Sequence, residues 1–366
     1  MKKWVVLFSV MISIVTISQL ALSQDTKVRT ASITDRWYEE PYHPDLPYTK
    51  GANALPLIQV KGNRLLNPAG DTILFHGVAI ADLDKVEGQG HFNKELFVRI
   101  KELGANIVRL PVHPVAWRDR TPEKYLKLLD QAIAWCTDES LYVDIDWHSI
   151  GNLEEGLFQD ASYNTSIRET FNFWKTIARH YAGHNTVAFI ELFNEPTDFN
   201  GRLGTLSWEQ WKTLNEHLIK LVRAYGVKSI PLVAGFDWAY DLTPLRYDPI
   251  DAEGIGYVVH PYPHKRTPPY VPKWEEDFGF AADKYPVVAT ELGFTLPTLQ
   301  ANLDYGRTIM QYFKEKHISW IWWVFDPDWK PSMFTSWRTF APTAGGKFFE
   351  EAVHNQIPPE DSTTNH

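Results

Sequence analysis

The stretch Val187-Ala188-Phe189-Ile190-Glu191-Leu192-Phe193-Asn194-Glu195-Pro196 is a short apolar run that ends in polar and turn-forming residues. The apolar run is rich in residues that favour β structure and is too short for an ordinary helix. It predicts a β-strand over residues 187–193 with polar side chains directly beyond its carboxyl end.

The same arrangement recurs on both sides of this stretch, because short apolar runs alternate with longer amphipathic segments from Ile73 onward. Such alternation is typical of a parallel sheet with helices between its strands. The predicted strands cover residues 73–80, 106–110, 141–146, 187–193, 230–234, 256–260, 287–290 and 318–325. The predicted helices cover residues 94–103, 122–137, 166–181, 207–225, about 270–284 and 299–316, and residues 237–253 leave room only for a short helix. Eight strands within about 250 residues favour a single (β/α)₈ TIM barrel over a doubly wound sheet with a second domain.

The segments around this barrel are organised differently. Residues 1–23 combine two lysines, an apolar run and the small-residue end Ala21-Leu22-Ser23, which predicts a cleaved signal peptide. Polar residues interrupt the run, which disfavours the alternative of a membrane anchor. Residues 24–56 form an extension, residues 57–358 the predicted barrel domain with a short N-terminal β-hairpin lid, and residues 359–366 a polar tail. We therefore expect a secreted or periplasmic protein with no membrane contact after cleavage.

The composition narrows the possible partners. The formal net charge is −9, and without Lys2 and Lys3 there are 34 basic side chains against 45 acidic ones, which disfavours nucleic acid as a partner. Fifteen Trp, sixteen Tyr and twenty Phe supply flat apolar surfaces on which sugars can stack. Cys136 is the sole cysteine, and no metal-binding spacing occurs, so we expect no internal disulfide, no metal and no cofactor. We expect a monomer that binds a polysaccharide or oligosaccharide.

Polar and aromatic residues follow the predicted strands at their carboxyl ends. Because these ends meet at one rim of a parallel barrel, the side chains there are candidates for the active site. They are Arg109, His148, Asn194, Glu195, His260, Tyr262, Glu291 and Trp323.

Two of these side chains, Glu195 and Glu291, follow strands four and seven, where they would face each other across the barrel mouth. Hydrolysis of a glycosidic bond uses such a pair, one carboxylic acid to protonate the leaving oxygen and one carboxylate to attack the sugar. The pair favours a glycosidase over a pair of solvated surface carboxylates.

The runs Ile190-Glu191-Leu192-Phe193-Asn194-Glu195-Pro196 and Ala289-Thr290-Glu291-Leu292-Gly293 resemble glycoside hydrolase family 5, whose barrels carry both catalytic carboxylates on strands four and seven. The similarity extends over about residues 57–354. The resemblance implies that Glu195 is the general acid/base and Glu291 the nucleophile of a retaining mechanism. It also implies that Arg109 hydrogen-bonds near the nucleophile and helps to keep it ionised, and that Asn194 binds the sugar 2-hydroxyl.

The resemblance further implies that His148 and His260 line the sugar site, with His260 near the acid/base and Tyr262 near the nucleophile. Trp323 would form the stacking floor, and its strand neighbours Trp320 and Trp322 would be structural. No role matches His76, His91 or His113, which we treat as structural.

The substrate remains open at this point. An endo-β-1,4-glucanase is the leading hypothesis, and the same mechanism on a β-mannan, a xyloglucan or another β-glucan is its alternative. His76 stands where such cellulases commonly have Arg or Lys, and Leu292 where they often have Trp or Phe, which loosens the assignment. A non-catalytic carbohydrate-binding barrel is a remote alternative, because it would have no use for both glutamates.

Overall fold

The computed structural model describes residues 54–294 and 299–355, without the side chains of residues 299–302. Within this part of the chain, eight parallel strands close into a barrel, and the eighth strand pairs with the first. The predicted (β/α)₈ fold is thereby confirmed. The predicted signal peptide, most of the extension and the polar tail lie outside the described residues.

The barrel strands are numbered one to eight along the chain. They are His76–Ala79, Ile107–Val112, Tyr142–Trp147, Val187–Glu191, Ile230–Ala234, Gly256–Val258, Val287–Leu292 and Ser319–Trp322. The α-helices are Leu83–Gly88, Lys94–Glu102, Pro114–Arg120, Pro122–Asp138, Ile167–Tyr181, Trp208–Ala224, Tyr270–Asp277, Leu299–Lys316 and Ala344–Val353, and the segment Phe236–Ala239 is a single turn with positive φ at three residues.

Apolar side chains fill the barrel because both faces of each strand are buried. Phe75, Phe189, Leu232, Val288 and Ile321 belong to one core cluster, and each is at most 2% exposed. This double burial explains why the strands are nearly continuous apolar runs in the sequence.

The helix Ile167–Tyr181 illustrates how the outer layer forms. Ser166 caps its amino end, where the hydroxyl accepts a hydrogen bond from the Glu169 backbone nitrogen at 3.0 Å. Its buried face carries Phe173, Trp174 and Ile177, and the Trp174 indole donates to the Leu192 carbonyl beyond strand four. This helix therefore contacts the segment that connects strand four to the polar residues at the rim of the barrel.

The predicted hairpin is present, with strands Gln59–Lys61 and Arg64–Leu66. The Tyr142 hydroxyl, at the start of strand three, donates to the Pro56 carbonyl beside this hairpin. Leu65 is only 4% exposed. The hairpin therefore covers the amino-terminal end of the barrel, opposite to the strand ends that carry the polar residues.

Several predicted boundaries are wrong. Strand eight ends at Trp322 instead of residue 325, and the helix predicted to reach residue 284 ends at Asp277, because Phe278 leaves helical geometry and a 3₁₀ turn follows. The C-terminal helix Ala344–Val353 and a small sheet of Ile150–Asn152, Leu157–Phe158 and Glu195–Pro196 were not predicted. The strands of the small sheet have only two or three residues, which is too few for a periodic signal of their own.

None of the helices within the described residues is both long enough and apolar enough to cross a membrane.

Candidate active site

The two glutamates reach the barrel mouth by different routes. Glu291 lies within strand seven, whereas Glu195 lies four residues beyond the end of strand four, in the short strand Glu195–Pro196. That strand pairs in parallel with Ile150–Asn152, and the Glu195 backbone nitrogen donates to the Ser149 carbonyl at 3.1 Å. Backbone hydrogen bonds thus fix Glu195 even though it is outside the barrel sheet.

The structure brings both carboxylates together. One oxygen of Glu195, one oxygen of Glu291 and a ring nitrogen of His260 all lie within 4.8 Å of one another. The two glutamates are 8% and 5% exposed, respectively. A pair this close leaves little space for a water molecule between the two carboxylates.

Glu291 accepts hydrogen bonds at both carboxylate oxygens. Arg109 Nη1 donates to Oε1 at 2.7 Å, and the Tyr262 hydroxyl donates to Oε2 at 2.8 Å. Both donors fix the orientation of the carboxylate.

Arg109 is fully buried and connects four other polar residues. It binds Glu191 through two hydrogen bonds of 2.8 and 2.9 Å, and its Nη2 also lies 2.7 Å from Asn194 Oδ1 and 2.9 Å from Asp146 Oδ2. Burial alone would lower the pKa of Arg109, but the surrounding carboxylates raise that pKa well above its ordinary value. The guanidinium therefore stays charged beside Glu291.

Glu195 has a different environment, which favours its protonated form. Burial raises its pKa from 4.5 to about 7, although the Lys265 and Arg109 charges oppose this increase. Its Oε1 lies 2.8 Å from His260 Nδ1, and His260 Nε2 lies 3.0 Å from Thr290 Oγ1. Burial lowers the pKa of His260 to about 4, so its ring is neutral at pH 7. A neutral ring can donate to ionised Glu195 or accept from protonated Glu195 by changing its tautomer.

Aromatic rings form one wall beside the carboxylates. His148 and Trp323 are parallel, with an interplanar angle of 4° and a centroid distance of 5.5 Å. His148 Nδ1 lies 2.6 Å from Asp146 Oδ2, which also accepts from Arg109. Burial lowers the pKa of His148 well below its usual value, so the neutral ring donates to Asp146 and keeps Nε2 as an acceptor.

Only one of the two polar atoms of the Asn194 amide has a hydrogen-bond partner among the described residues. Its Oδ1 accepts from Arg109, whereas its Nδ2 is buried and has no hydrogen-bond partner among the described residues. A buried donor without a partner is costly, and a bound hydroxyl group would satisfy it.

All eight predicted site residues therefore lie at one rim. Arg109 and Tyr262 hydrogen-bond to Glu291, and His260 hydrogen-bonds to Glu195. Sequence reasoning missed Glu191 and Asp146, although a charged residue inside an apolar strand was a visible signal for both. His113, treated as structural, lies 4.6 Å from His148 between ring centroids and stacks on Tyr163. Tyr163 is the last residue of the 3₁₀ turn Ala161–Tyr163, and no pattern in the sequence pointed to it.

The remaining histidines and tryptophans singled out in the sequence lie elsewhere. Trp322 is fully buried against Phe294 and Phe348. His76 lies near Trp320 at 6.1 Å between centroids, and His91 stacks on Trp337 at 4.3 Å.

Glu195, His260 and Glu291 form the group within the described residues that could hold a metal ion. Both oxygens of Glu291 already accept hydrogen bonds, and a cation there would face the Arg109 guanidinium. This arrangement favours a hydrogen-bonded carboxylate pair, and metal independence stays a prediction that treatment with EDTA would test.

The chain matches one family model and is similar to proteins of known structure. The family model for cellulases of glycosyl hydrolase family 5 matches residues 70–328. A beta-glucanase from Saccharophagus degradans is 41% identical, with a TM-score of 0.83 over 88% of this chain and 99% of that chain. A second crystal structure of the same beta-glucanase is a complex with cellotetraose, with a TM-score of 0.82.

Curated relatives are more distant. Endoglucanase A from Butyrivibrio fibrisolvens is 26% identical over 213 residues, which are 56% of this chain and 45% of that protein. An endoglucanase from a Bacillus species is 28% identical over 302 residues, which are 74% of this chain and 30% of that protein. The chain thus spans less than half the length of each of these two relatives.

Proposed function

Because the chain belongs to the cellulases of glycosyl hydrolase family 5, we propose that it hydrolyses the glycosidic bonds of a β-linked glucan, with Glu195 and Glu291 as its catalytic pair. The observation that carries this proposal is the approach of both carboxylates to within 4.8 Å, one with a raised pKa and one bound by Arg109 and Tyr262. Environments that differ in this way are expected of one acid and one nucleophile.

In the first step, Glu195 donates its proton to the glycosidic oxygen while a Glu291 oxygen attacks the anomeric carbon. The bond from that carbon to the leaving oxygen breaks, the leaving sugar departs with a hydroxyl group, and a glycosyl ester forms on Glu291. The Tyr262 hydroxyl and Arg109 hold the attacking carboxylate in place.

In the second step, ionised Glu195 takes a proton from water, whose oxygen attacks the same carbon and releases Glu291. His260 supports both states of Glu195, because its neutral ring accepts from the acid and donates to the carboxylate. Two displacements at one carbon retain the anomeric configuration.

Asn194, His148 and Trp323 are proposed to hold the sugar ring that is attacked. Asn194 Nδ2 would donate to its 2-hydroxyl, and His148 Nε2 would accept from another hydroxyl. Trp323 would offer an indole face for stacking. These contacts position the anomeric carbon beside Glu291.

The proposed substrate is a β-1,4-glucan, because the similar beta-glucanase binds cellotetraose and both curated relatives are endoglucanases. The test is reducing-end release from mixed-linkage β-glucan, carboxymethylcellulose, glucomannan and xyloglucan. Preferential release from either of the first two supports the proposal. Turnover confined to glucomannan or xyloglucan would replace the substrate and leave the mechanism intact.

Replacement of either glutamate tests the catalytic pair. We expect Glu195→Gln and Glu291→Gln each to lower turnover of β-glucan by ~10²–10⁴ or more, the range for loss of an acid/base group. Glutamine keeps the shape of the side chain, so the thermal unfolding midpoint should change little. Glu102→Gln, on the exposed end of the helix Lys94–Glu102, is the matched control and should keep full activity. If either glutamine variant kept more than about a tenth of the wild-type rate, the replaced glutamate would not be a catalytic residue.

We also propose export, with cleavage after residue 23, and action as a monomer on a polysaccharide or oligosaccharide. Sequencing of the mature amino terminus from culture medium or periplasm tests cleavage, with Gln24 expected first. Sedimentation analysis of that product tests the monomer.

A further inference from the structure

The two carboxylates divide the rim of the barrel into two arcs. Glu195 follows strand four and Glu291 lies on strand seven, and in the closed barrel strands five and six separate them on one side. Strands eight, one, two and three separate them on the other side, which is the arc that holds Trp323 and His148. Because the arc of Trp323 and His148 is proposed to hold the sugar ring that is attacked, the arc of strands five and six remains for the leaving group.

An unusual turn follows strand five on this arc. Asp237, Trp238 and Ala239 are three consecutive non-glycine residues with φ of 54°, 56° and 54°. Left-handed backbone is unfavourable for residues with a Cβ atom, so other contacts must stabilise the turn. The His260 backbone nitrogen donates to the Ala239 carbonyl at 2.7 Å and supplies one of them.

Lys265 supplies further contacts from the loop after strand six. Its ammonium donates to the Asp237 carbonyl at 2.6 Å and lies 3.4 Å from Asp237 Oδ1. The same nitrogen lies 4.7 Å from the centroid of the Trp238 ring, within the range of a cation–π contact. The Lys265 side chain is only 9% exposed, so water screens these contacts weakly.

The turn packs against the short strand Glu195–Pro196, and further contacts fix the Trp238 indole that it carries. The indole is half-buried, it donates to Gln159 Oε1 at 2.9 Å, and Phe199 packs edge-on against it. Gln159 directly follows the strand Leu157–Phe158, which belongs to the same small sheet as Glu195. A shift of the turn would therefore move the indole relative to Glu195.

We propose that Lys265 is a positioning residue for departure of the leaving sugar: it holds the Asp237–Ala239 turn, and with it the Trp238 indole, against the short strand that carries Glu195. This inference rests on the proposed function. Lys265 itself touches no reacting atom, and it acts through the turn and through its charge. Leaving groups that are sugars depend on it, whereas leaving groups that need neither protonation nor a sugar contact do not.

Charges around the site agree with this role. Lys265 opposes the burial-driven increase in the pKa of Glu195, and burial in turn lowers the pKa of Lys265. The other titratable or charged groups around Glu195 are His260, Arg109, Asp146, Asp237, Tyr163, Tyr262 and Glu291. Around Lys265 they are Asp237, Glu195, His260, His264, Arg266 and Tyr240. Loss of the Lys265 charge should therefore raise the pKa of Glu195.

The test compares two substrates with wild type and Lys265→Met. Cellotetraose has a sugar leaving group, whereas 2,4-dinitrophenyl β-cellobioside has an activated one. We expect Lys265→Met to lower kcat/KM for cellotetraose about tenfold, less than the ~10²–10⁴ for loss of the acid itself, and to change kcat/KM for the aryl glycoside less than about twofold. The alkaline limb of the cellotetraose pH profile should move to higher pH.

Lys284→Met is the matched control, because it removes the same charge from an exposed lysine that lies just before strand seven, at the opposite end of the barrel from Glu195. It should leave the ratio of both rates and the pH profile unchanged. Lys265→Gln keeps a hydrogen-bond donor for the Asp237 carbonyl but removes the charge. It should therefore move the alkaline limb of the pH profile with a smaller loss of rate. If Lys265→Met does not fold, Lys265→Gln replaces it in the test. Equal losses on both substrates, or an unchanged ratio and pH limb, would overturn the role of Lys265. Failure of wild type on both substrates would instead overturn the proposed function.

Discussion

Glu195 must hold a proton before it can act as the acid in the proposed mechanism. Burial raises its pKa from 4.5 to about 7, so the protonated form is populated up to neutral pH. As the pH increases through 7, Glu195 ionises and the first step loses its proton donor. We therefore expect kcat/KM for β-glucan to fall above about pH 7.

A pH series of initial rates measures this effect, and an aryl glycoside with an activated leaving group is the control. That substrate needs less protonation, so its alkaline limb should be shallower. A profile for β-glucan that stays flat to pH 9 would contradict the role of Glu195 as the acid.

At the scale of single elements, strand eight separates two neighbouring tryptophans. Trp322 packs against Phe294 and Phe348 on the outside of the barrel, whereas Trp323 lies beside His148 at the rim. Trp322→Ala should lower the free energy of unfolding by roughly 3 to 5 kcal/mol while the folded fraction stays active. Trp323→Ala should mainly lower kcat/KM, since it removes the surface on which the sugar stacks.

Chemical denaturation and initial rates on both variants distinguish these effects. If Trp322→Ala were fully stable but inactive, the assignment of the two side chains to opposite sides would be wrong.

Strand one illustrates how closely the barrel strands approach. A Cβ atom on Gly77 would lie 2.0 Å from the Ile107 carbonyl oxygen of strand two, so an alanine requires the backbone to move. We expect Gly77→Ala to lower the free energy of unfolding by at least about 1–3 kcal/mol, the usual cost of overpacking. Gly183→Ala is the control, since a Cβ atom there meets nothing within 4 Å, and it should leave stability unchanged or raise it by up to about 1 kcal/mol. Equal unfolding free energies for both variants would contradict this account.

At the scale of the whole molecule, barrel closure sets the distance between carboxylates that are 96 positions apart in the chain. Retaining enzymes hold such groups ~5–5.5 Å apart, whereas inverting enzymes need ~6.5–9.5 Å for an intervening water. Because oxygens of Glu195 and Glu291 lie within 4.8 Å, we expect the first product to retain the β configuration. Proton NMR of early reaction mixtures reads the anomer directly, and an initial α product would exclude the double displacement.

Much of this molecule follows from local sequence patterns. The alternation of apolar runs with amphipathic segments was sufficient to predict the eight-stranded barrel. A strand that is buried on both faces gives a continuous apolar run, whereas a helix that is buried on one side gives apolar residues at helical spacing. The same patterns placed Arg109, Glu195, His260 and Glu291 at strand ends, and the motifs around the two glutamates identified the family.

Other features depend on contacts between distant segments. The small sheet that fixes Glu195 uses strands of two or three residues, too short for a periodic signal, and it forms only because strands three and four are neighbours. The bonds from Arg109 to Glu191, Asp146, Asn194 and Glu291 join four strand ends whose spacing the closed barrel sets. The left-handed turn at Asp237–Ala239 contains no glycine, so the sequence does not indicate it. Contacts from Lys265 and His260 stabilise this turn instead. A local pattern records which face of a segment is buried, whereas distances between side chains, and the pKa values that depend on them, exist only once the barrel has closed.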